Sequence, residues 1–213
     1  MRKSFVAAGA VAVLALAVPA LAGPPFVCHP FDIGSAKSLP FDSHNWLGVR
    51  SDYDIRHVVA DTEAVLTPST PTIVRMETLR RAALYASLDR AVAEQLIAVM
   101  MVRVKKAEQS GSMAAALFDA GYVVEALSEI EQFGNHMKDL AGREKTLAGL
   151  TRAGEGRGMI QKSLALNPGD ATMEFALGLL SRAPENAVHF DNARAGAKKD
   201  SLLASNLAKL DLQ

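Results

Sequence analysis

From Asp54 onward, the apolar residues of this sequence recur at the spacing of an α-helix, and this periodicity limits most strongly what the chain can fold into. Val92, Leu96, Met100 and Val104 follow one another at every fourth position, which places their side chains on one helix face. No window shows the apolar and polar alternation that is typical of a β-strand. The sequence therefore predicts an all-α fold.

Capping residues and helix breakers divide this region into segments. Ser51 and Asp54 have the spacing of a capping box, and Pro68 and Pro71 interrupt the helical pattern. Short turns are predicted at Gly121, at Gly134 and at 167–169. The predicted helices cover residues 54–66, 73–83, 89–110, 112–120, 122–133, 139–150, 158–166, 171–182, 185–194 and 200–210.

Residues 23–53 differ from the rest of the chain in composition. This stretch holds four of the eight prolines that follow residue 22, and five of the eleven aromatic residues. Proline fixes φ and lacks a backbone donor, so an extended arm is predicted in place of a helix. Aromatic rings are costly to leave in water, so the arm is expected to lie along the helical body with its rings as pegs. The five rings are Phe26, Phe31, Phe41, Trp46 and Tyr53. A ligand-binding aromatic strip is the alternative.

The first 22 residues have the pattern of a cleaved signal peptide. Arg2 and Lys3 give a positive start, an uncharged apolar run covers 5–18, and Ala20 and Ala22 supply the small residues that signal peptidase requires. Cleavage after Ala22 would place the mature protein in the periplasm or outside the cell. The predicted division is a signal peptide at 1–22, an arm at 23–53 and a helical domain at 54–213.

Charge and hydropathy narrow the classes of partner. After residue 22 the chain has 21 basic and 23 acidic residues, without a basic patch of the kind that binds nucleic acid or anionic lipid. No later segment approaches the roughly 18 consecutive apolar residues of a membrane span. We therefore expect no nucleic-acid partner and no stable membrane insertion once the signal peptide is removed.

Two fragments within residues 112–183 resemble the tetratricopeptide repeat family. Ala126 stands at the position where that family requires a small residue between two close helices, and Gly121 would form the turn. The other matching residues of the first fragment are Met113, Ala114, Leu117 and Ile130, and those of the second are Ile160, Asn167, Pro168, Leu177 and Gly178. The resemblance implies antiparallel helical hairpins, stacked as a short solenoid or an irregular bundle, whose concave face binds a protein or peptide.

Cys28 and His29 are the first candidates for chemistry. A thiolate beside an imidazole could bind a soft metal or act as a nucleophile, and His44 and His57 could complete a site if the arm folds back. Adjacent residues of an extended segment project in opposite directions, which argues against a shared ion. As the only cysteine, Cys28 has no intramolecular disulfide partner, so a buried thiol or one that couples to a partner chain remains open.

Other patterns are predicted to be structural. The run Gly154-Glu155-Gly156-Arg157-Gly158 lacks the context of a phosphate loop and predicts a flexible connection. Arg80 and Arg81, with Glu77 one turn before Arg81, predict a solvated helix face. No catalytic motif or cofactor site is found.

The sequence thus favours an exported, non-catalytic helical protein that acts as an interaction or scaffolding module for a protein or peptide partner in the cell envelope. Two alternatives belong to other classes. One is a metal- or thiol-dependent activity centred on Cys28 and His29. The other is a helical carrier of a small apolar ligand, with the aromatic arm as its lid.

Overall fold

A computed structural model describes residues 26–42 and 47–210, and within these residues the chain forms nine α-helices and no β-strand. The predicted all-α fold is confirmed. The predicted signal peptide lies outside the described residues, as do His44 and Trp46. The helices are α1 (Val58–Val65), α2 (Thr72–Ala86), α3 (Arg90–Ala107), α4 (Met113–Phe133), α5 (Arg143–Leu147), α6 (Glu155–Leu166), α7 (Ala171–Leu180), α8 (Glu185–Gly196) and α9 (Ser201–Leu210).

Helices α2 and α4 form the centre of the fold. Every residue of α2 except Thr72 and Arg81 is buried, and α4 packs against α2, α3, α5 and α6. A helix that is buried on all sides must satisfy its polar side chains within the protein. At one end of this centre α7 pairs with α8, and α9 packs on both of them. The polar residues of α2 are therefore where specific interactions are expected.

Aspartate side chains begin several of these elements. The carboxylate of Asp89 accepts hydrogen bonds from the backbone N–H groups of Ala91 and Val92 at the start of α3. Asp170 does the same for α7, and Asp54 caps a 3-10 turn at Ile55–His57 that leads into α1. These carboxylates satisfy backbone donors that have no partner within their own helix.

The turn predicted at Gly121 is wrong, because α4 is continuous over Met113–Phe133. Gly121 lies where α4 crosses α6 and meets Gly156 there. A Cβ atom built on Gly121 would stand 2.6 Å from the carbonyl oxygen of Gly156. The glycine is thus needed for close approach of two helices and not for a turn. As a result, the first fragment that resembles the tetratricopeptide family lies in a single helix.

Two further predictions at 139–158 are also wrong. The run from Gly154 to Gly158 is not a flexible connection, since Gly154 adopts a left-handed φ of +76° and α6 begins at the next residue. The single helix predicted over 139–150 is replaced by a 3-10 turn at Lys138–Leu140 and the five-residue α5, with Gly142 at φ +88° between them. The turns predicted after α4 and after α6 are confirmed.

Candidate functional site

The N-terminal arm is part of the hydrophobic core. Phe26, Val27 and Leu39 are buried among the helices, and Phe31 is nearly so. The ring of Phe26 meets Tyr122 of α4 edge-on, with 5.1 Å between centroids, and the ring of Phe31 meets Phe175 of α7 at 6.1 Å. The prediction that the arm's rings act as pegs is confirmed for these two. A segment whose side chains complete the core is poorly suited to act as a lid.

Three charged residues of α2 hold the backbone of the arm. Glu77 and Arg80 are fully buried, and Arg80 donates from Nε to Glu77 Oε2 at 2.9 Å and from Nη1 to the carbonyl of Val27 at 3.0 Å. Glu77 Oε2 also accepts the N–H of Phe31 at 3.0 Å. Arg81 pairs with Glu77 Oε1 at 2.7 Å and donates to the carbonyl of Leu39 at the same distance. The solvated face predicted for Arg80 and Arg81 is therefore wrong, although the predicted pairing of Glu77 with Arg81 is correct.

The charge of Glu77 is stabilised by this arrangement. Burial alone would raise the pKa of its carboxyl group, but the hydrogen bond and charge of Arg80, together with the charge of Arg81, hold that pKa below its ordinary value. Both arginines also donate to carbonyl groups of the arm, so the cluster satisfies the buried backbone as well as its own charges. We call Glu77, Arg80 and Arg81 the arm clamp.

A second carboxylate meets the arm from α4. Glu129 Oε1 accepts the N–H of Phe26 at 3.0 Å, and Glu129 Oε2 accepts the N–H of Val27 at 2.8 Å. Burial raises the pKa of this carboxyl group to about 8, against the lowering effect of the two hydrogen bonds. Glu131 instead accepts the N–H of Gly149 at 3.0 Å. The two carboxylates thus serve different parts of the structure.

Cys28 lies near Glu129 of α4 and Arg80 of the clamp, in a setting that keeps its thiol protonated. Burial, together with the nearby charge of Glu129, raises the pKa of Cys28 to about 12. Its Sγ contacts the Sδ of Met137 at 4.0 Å. A thiol with such a pKa is a poor nucleophile and a poor metal ligand at neutral pH, because both roles need the thiolate.

The structure does not bring the predicted histidines to Cys28 as a recognisable site. His57 is exposed near Asp54, His29 lines a groove that is described next, and His44 lies outside the described residues. Within residues 26–42 and 47–210, no group of three His, Cys, Asp or Glu side chains is placed to hold a metal ion.

A groove of about 380 Å³ runs between the arm and the helices α7 and α9. Its apolar lining residues include Phe31, Phe175 and Leu179, which we call the floor. The residues at its sides are His29, Pro30, Asn206, Lys209 and Leu210. This size lies at the lower end of the range for small-molecule sites and suits one or two apolar side chains.

The side of the groove formed by α9 is fixed to the arm by polar contacts. Asn206 Oδ1 accepts the N–H of Asp32 at 2.8 Å, and Asn206 Nδ2 donates to the carbonyl of Asp32 at 2.9 Å. The carboxylate of Asp32 also accepts from Ser205 at 3.0 Å and lies 3.2 Å from the ammonium of Lys209. Hydrogen bonds from the Gly34 N–H, Ser205 and Lys209 lower the pKa of Asp32, so it stays charged. We call the groove between the arm and the helices α7 and α9 the arm groove.

The sequence pattern does not indicate the arm groove. Its two sides are separated by 174 residues at the Asp32–Asn206 contact. The one local signal was the aromatic content of the arm, which correctly marked Phe31 as a residue in contact with the helices.

Comparison with protein-family models, with curated proteins and with solved structures finds no match for this chain. Among the described residues, no helix is long and apolar enough to span a bilayer.

Proposed function

We propose that this chain is an exported, non-catalytic binding module that holds an apolar side chain of a protein or peptide partner in the arm groove. The observation that carries the proposal is the groove itself, with an apolar floor open to a partner and polar groups along its sides. Such a combination gives affinity through burial of apolar surface and orientation through hydrogen bonds.

The rigidity of the groove supports a binding role. The arm clamp and Glu129 fix the arm on α2 and α4, and the paired hydrogen bonds of Asn206 fix it on α9. A partner that docks there does not have to order the arm, so little of the binding free energy is lost to conformational entropy. Preformed walls favour recognition of a defined segment over enclosure of a mobile ligand.

The state of the polar groups near the groove supports a non-catalytic role. The carboxylates of Glu77, Glu129 and Asp32 accept hydrogen bonds from the backbone N–H groups of Phe31, Phe26 and Gly34, which belong to the arm itself. The Cys28 thiol is held protonated, which weighs against the thiol- or metal-dependent alternative. The burial of Phe26 and Phe31 likewise weighs against the lid that a small-ligand carrier would need.

The location in the cell envelope is proposed from the sequence of residues 1–22. A positive start, an apolar run and small residues before Gly23 are the elements that the export machinery recognises. Sequencing the N-terminus of the protein from the periplasmic or secreted fraction is expected to give Gly23. Recovery of the chain only from the cytoplasm, beginning at Met1, would contradict this part of the proposal.

The tetratricopeptide resemblance enters the proposal only through α6 and α7. These helices meet at Asn167 and Pro168, which fall at the spacing of a junction between repeats in that family. Helix α7 also supplies Phe175 and Leu179 to the groove. We propose that any repeat-like binding surface of this protein is centred on α7.

Site-specific photocrosslinking in the native host tests whether a partner protein binds in the groove. A photoreactive side chain at Leu179, on the groove floor, is expected to give a discrete adduct with a partner protein. Leu210→Asp, at the groove edge, is expected to remove that adduct because a carboxylate opposes burial of an apolar side chain. The control is the same photoreactive side chain at Leu166, an exposed apolar residue away from the groove. If both positions give the same adduct, or if Leu210→Asp leaves it unchanged, the groove is not the binding site.

A further inference from the structure

A second cavity has a different chemical character from the arm groove. It has a volume of about 260 Å³ and lies where the turn between α1 and α2 meets the C-terminal half of α3 and the start of α4. Its polar lining residues are Thr67, Arg75, Arg103, Lys106, Ser110 and Ser112. Three are cationic, and among the described residues no carboxylate lines the cavity. We call it the basic cleft.

Each side-chain nitrogen of Arg75 already donates a hydrogen bond within the protein. Its Nε donates to the carbonyl of Thr70 at 3.0 Å, its Nη2 donates to the carbonyl of Thr67, and its Nη1 pairs with Asp119 at 2.7 Å. Asp119 is buried behind the cleft, and a single carboxylate there balances only one of the three cations. Arg75 therefore builds the wall, and the cleft keeps an excess of positive charge.

Arg103 and Lys106 have N–H groups that make no hydrogen bond within the described part of the chain. All hydrogen bonds that Arg103 makes within the described part of the chain leave from Nη2, which donates to the Leu66 carbonyl at 2.9 Å and to Asp119 at 3.4 Å. Its Nη1 donates none, and its Nε is buried without a partner. Lys106, one turn further along α3, is exposed and forms no ion pair with any described residue. Unpaired donors at the wall of a cavity are the arrangement that an anion completes.

The opposite wall adds neutral donors. The hydroxyl groups of Ser110 and Ser112 lie 2.8 Å apart, and Ser112 precedes α4 without capping it through its side chain. The first N–H groups of that 21-residue helix therefore add to the positive potential that Arg103 and Lys106 establish.

We propose that the basic cleft binds a phosphoryl group, either as inorganic phosphate or as a phosphate ester. The free Nη1 of Arg103, the ammonium of Lys106 and the serine hydroxyls supply more donors than the two oxygens of a carboxylate require. A phosphoryl group offers three or four oxygens to the same set. The cleft is separate from the arm groove, so this inference stands independently of the proposed function.

The test is isothermal titration calorimetry of the purified protein with inorganic phosphate at constant ionic strength. Saturable binding is expected, and Lys106→Gln is expected to weaken it about tenfold through loss of one charged hydrogen bond. The matched control is Lys105→Gln, which changes the neighbouring exposed lysine outside the cleft and is expected to bind phosphate like the parent.

Two further titrations define the ligand class. Glycerol phosphate is expected to bind if the cleft accepts an ester, and binding of inorganic phosphate alone would identify the free ion as the ligand; both results support a phosphoryl site. Acetate at the same ionic strength is expected to bind at least tenfold more weakly. The proposal is overturned if phosphate does not saturate the protein, if acetate binds as tightly, or if Lys105→Gln weakens binding as much as Lys106→Gln does.

Discussion

Glu77→Gln is the perturbation that tests most directly how the arm is held. Glu77 is the only anion of the arm clamp, and it accepts from Arg80, from Arg81 and from the N–H of Phe31. Glutamine has nearly the same shape, but it keeps a single acceptor oxygen and places an amide donor against the guanidinium groups. The substitution therefore removes the carboxylate charge that pairs with the fully buried Arg80.

The expected cost follows from the burial of the pair. Removing one partner of a buried ion pair destabilises a protein by about 3–5 kcal/mol, because the remaining charge is left uncompensated. A typical domain has a free energy of unfolding of about 5–15 kcal/mol, so this loss would be a large fraction of the total. The lowered pKa of Glu77 also means that its contribution is present at neutral pH and is lost in acid, as the pH falls through that pKa.

Urea unfolding followed by circular dichroism measures the effect at pH 7. Glu94→Gln is the matched control, since Glu94 also pairs with an arginine four positions away, at 2.9 Å from Arg90, but with both side chains about half exposed. The control substitution is expected to lower the free energy of unfolding by less than about 0.5 kcal/mol. If Glu77→Gln lowers the free energy of unfolding no more than Glu94→Gln does, the arm is not held by the clamp and the groove is not rigid.

Three other predictions concern the core around the arm. Gly121→Ala is expected to lower the free energy of unfolding by about 1–3 kcal/mol or more in the same urea assay, because its Cβ would meet the Gly156 carbonyl; a parent-like midpoint would show that the α4–α6 crossing is looser than described. The Cys28 thiol is expected to react with a disulfide reagent at pH 8 about a hundredfold more slowly in the native protein than in urea, and equal rates would contradict its raised pKa. The pKa of Glu129 is raised on folding from near 4.5 to about 8, so the native state retains a proton that the unfolded state loses in this interval. Stability is therefore expected to fall as the pH rises from 5 to 8, with a shallower slope for Glu129→Gln; identical slopes would remove Glu129 as the cause.

The helical class of the fold could be predicted because its signals are local. The four-residue spacing from Val92 to Val104 and the turn at 167–169 each depend on residues a few positions apart. The predicted capping box of Ser51 and Asp54 is wrong in its first member, because Asp54 itself is the N-cap. The packing of Phe26 and Phe31 could also be anticipated, because large rings are costly to leave in water.

The errors have a common physical origin in long-range contacts. A glycine inside an apolar helical pattern fits a turn or a close helix crossing equally well, and only the position of Gly156 decides the case for Gly121. Arg80 has the composition of a solvated face, yet its partners include a carbonyl 53 residues earlier in the chain. No local pattern contains that information, and the same holds for both sides of the arm groove.

The order in which contacts become available has a consequence for biosynthesis. The arm leaves the ribosome before the helices do, but Phe31 needs Glu77, Phe26 needs Glu129, and Asp32 needs Asn206 near the other end of the described chain. The contacts of the arm cannot all form until α9 has been translated. For the export that we propose, a chain whose arm contacts form this late can be threaded through a translocation channel before it becomes compact.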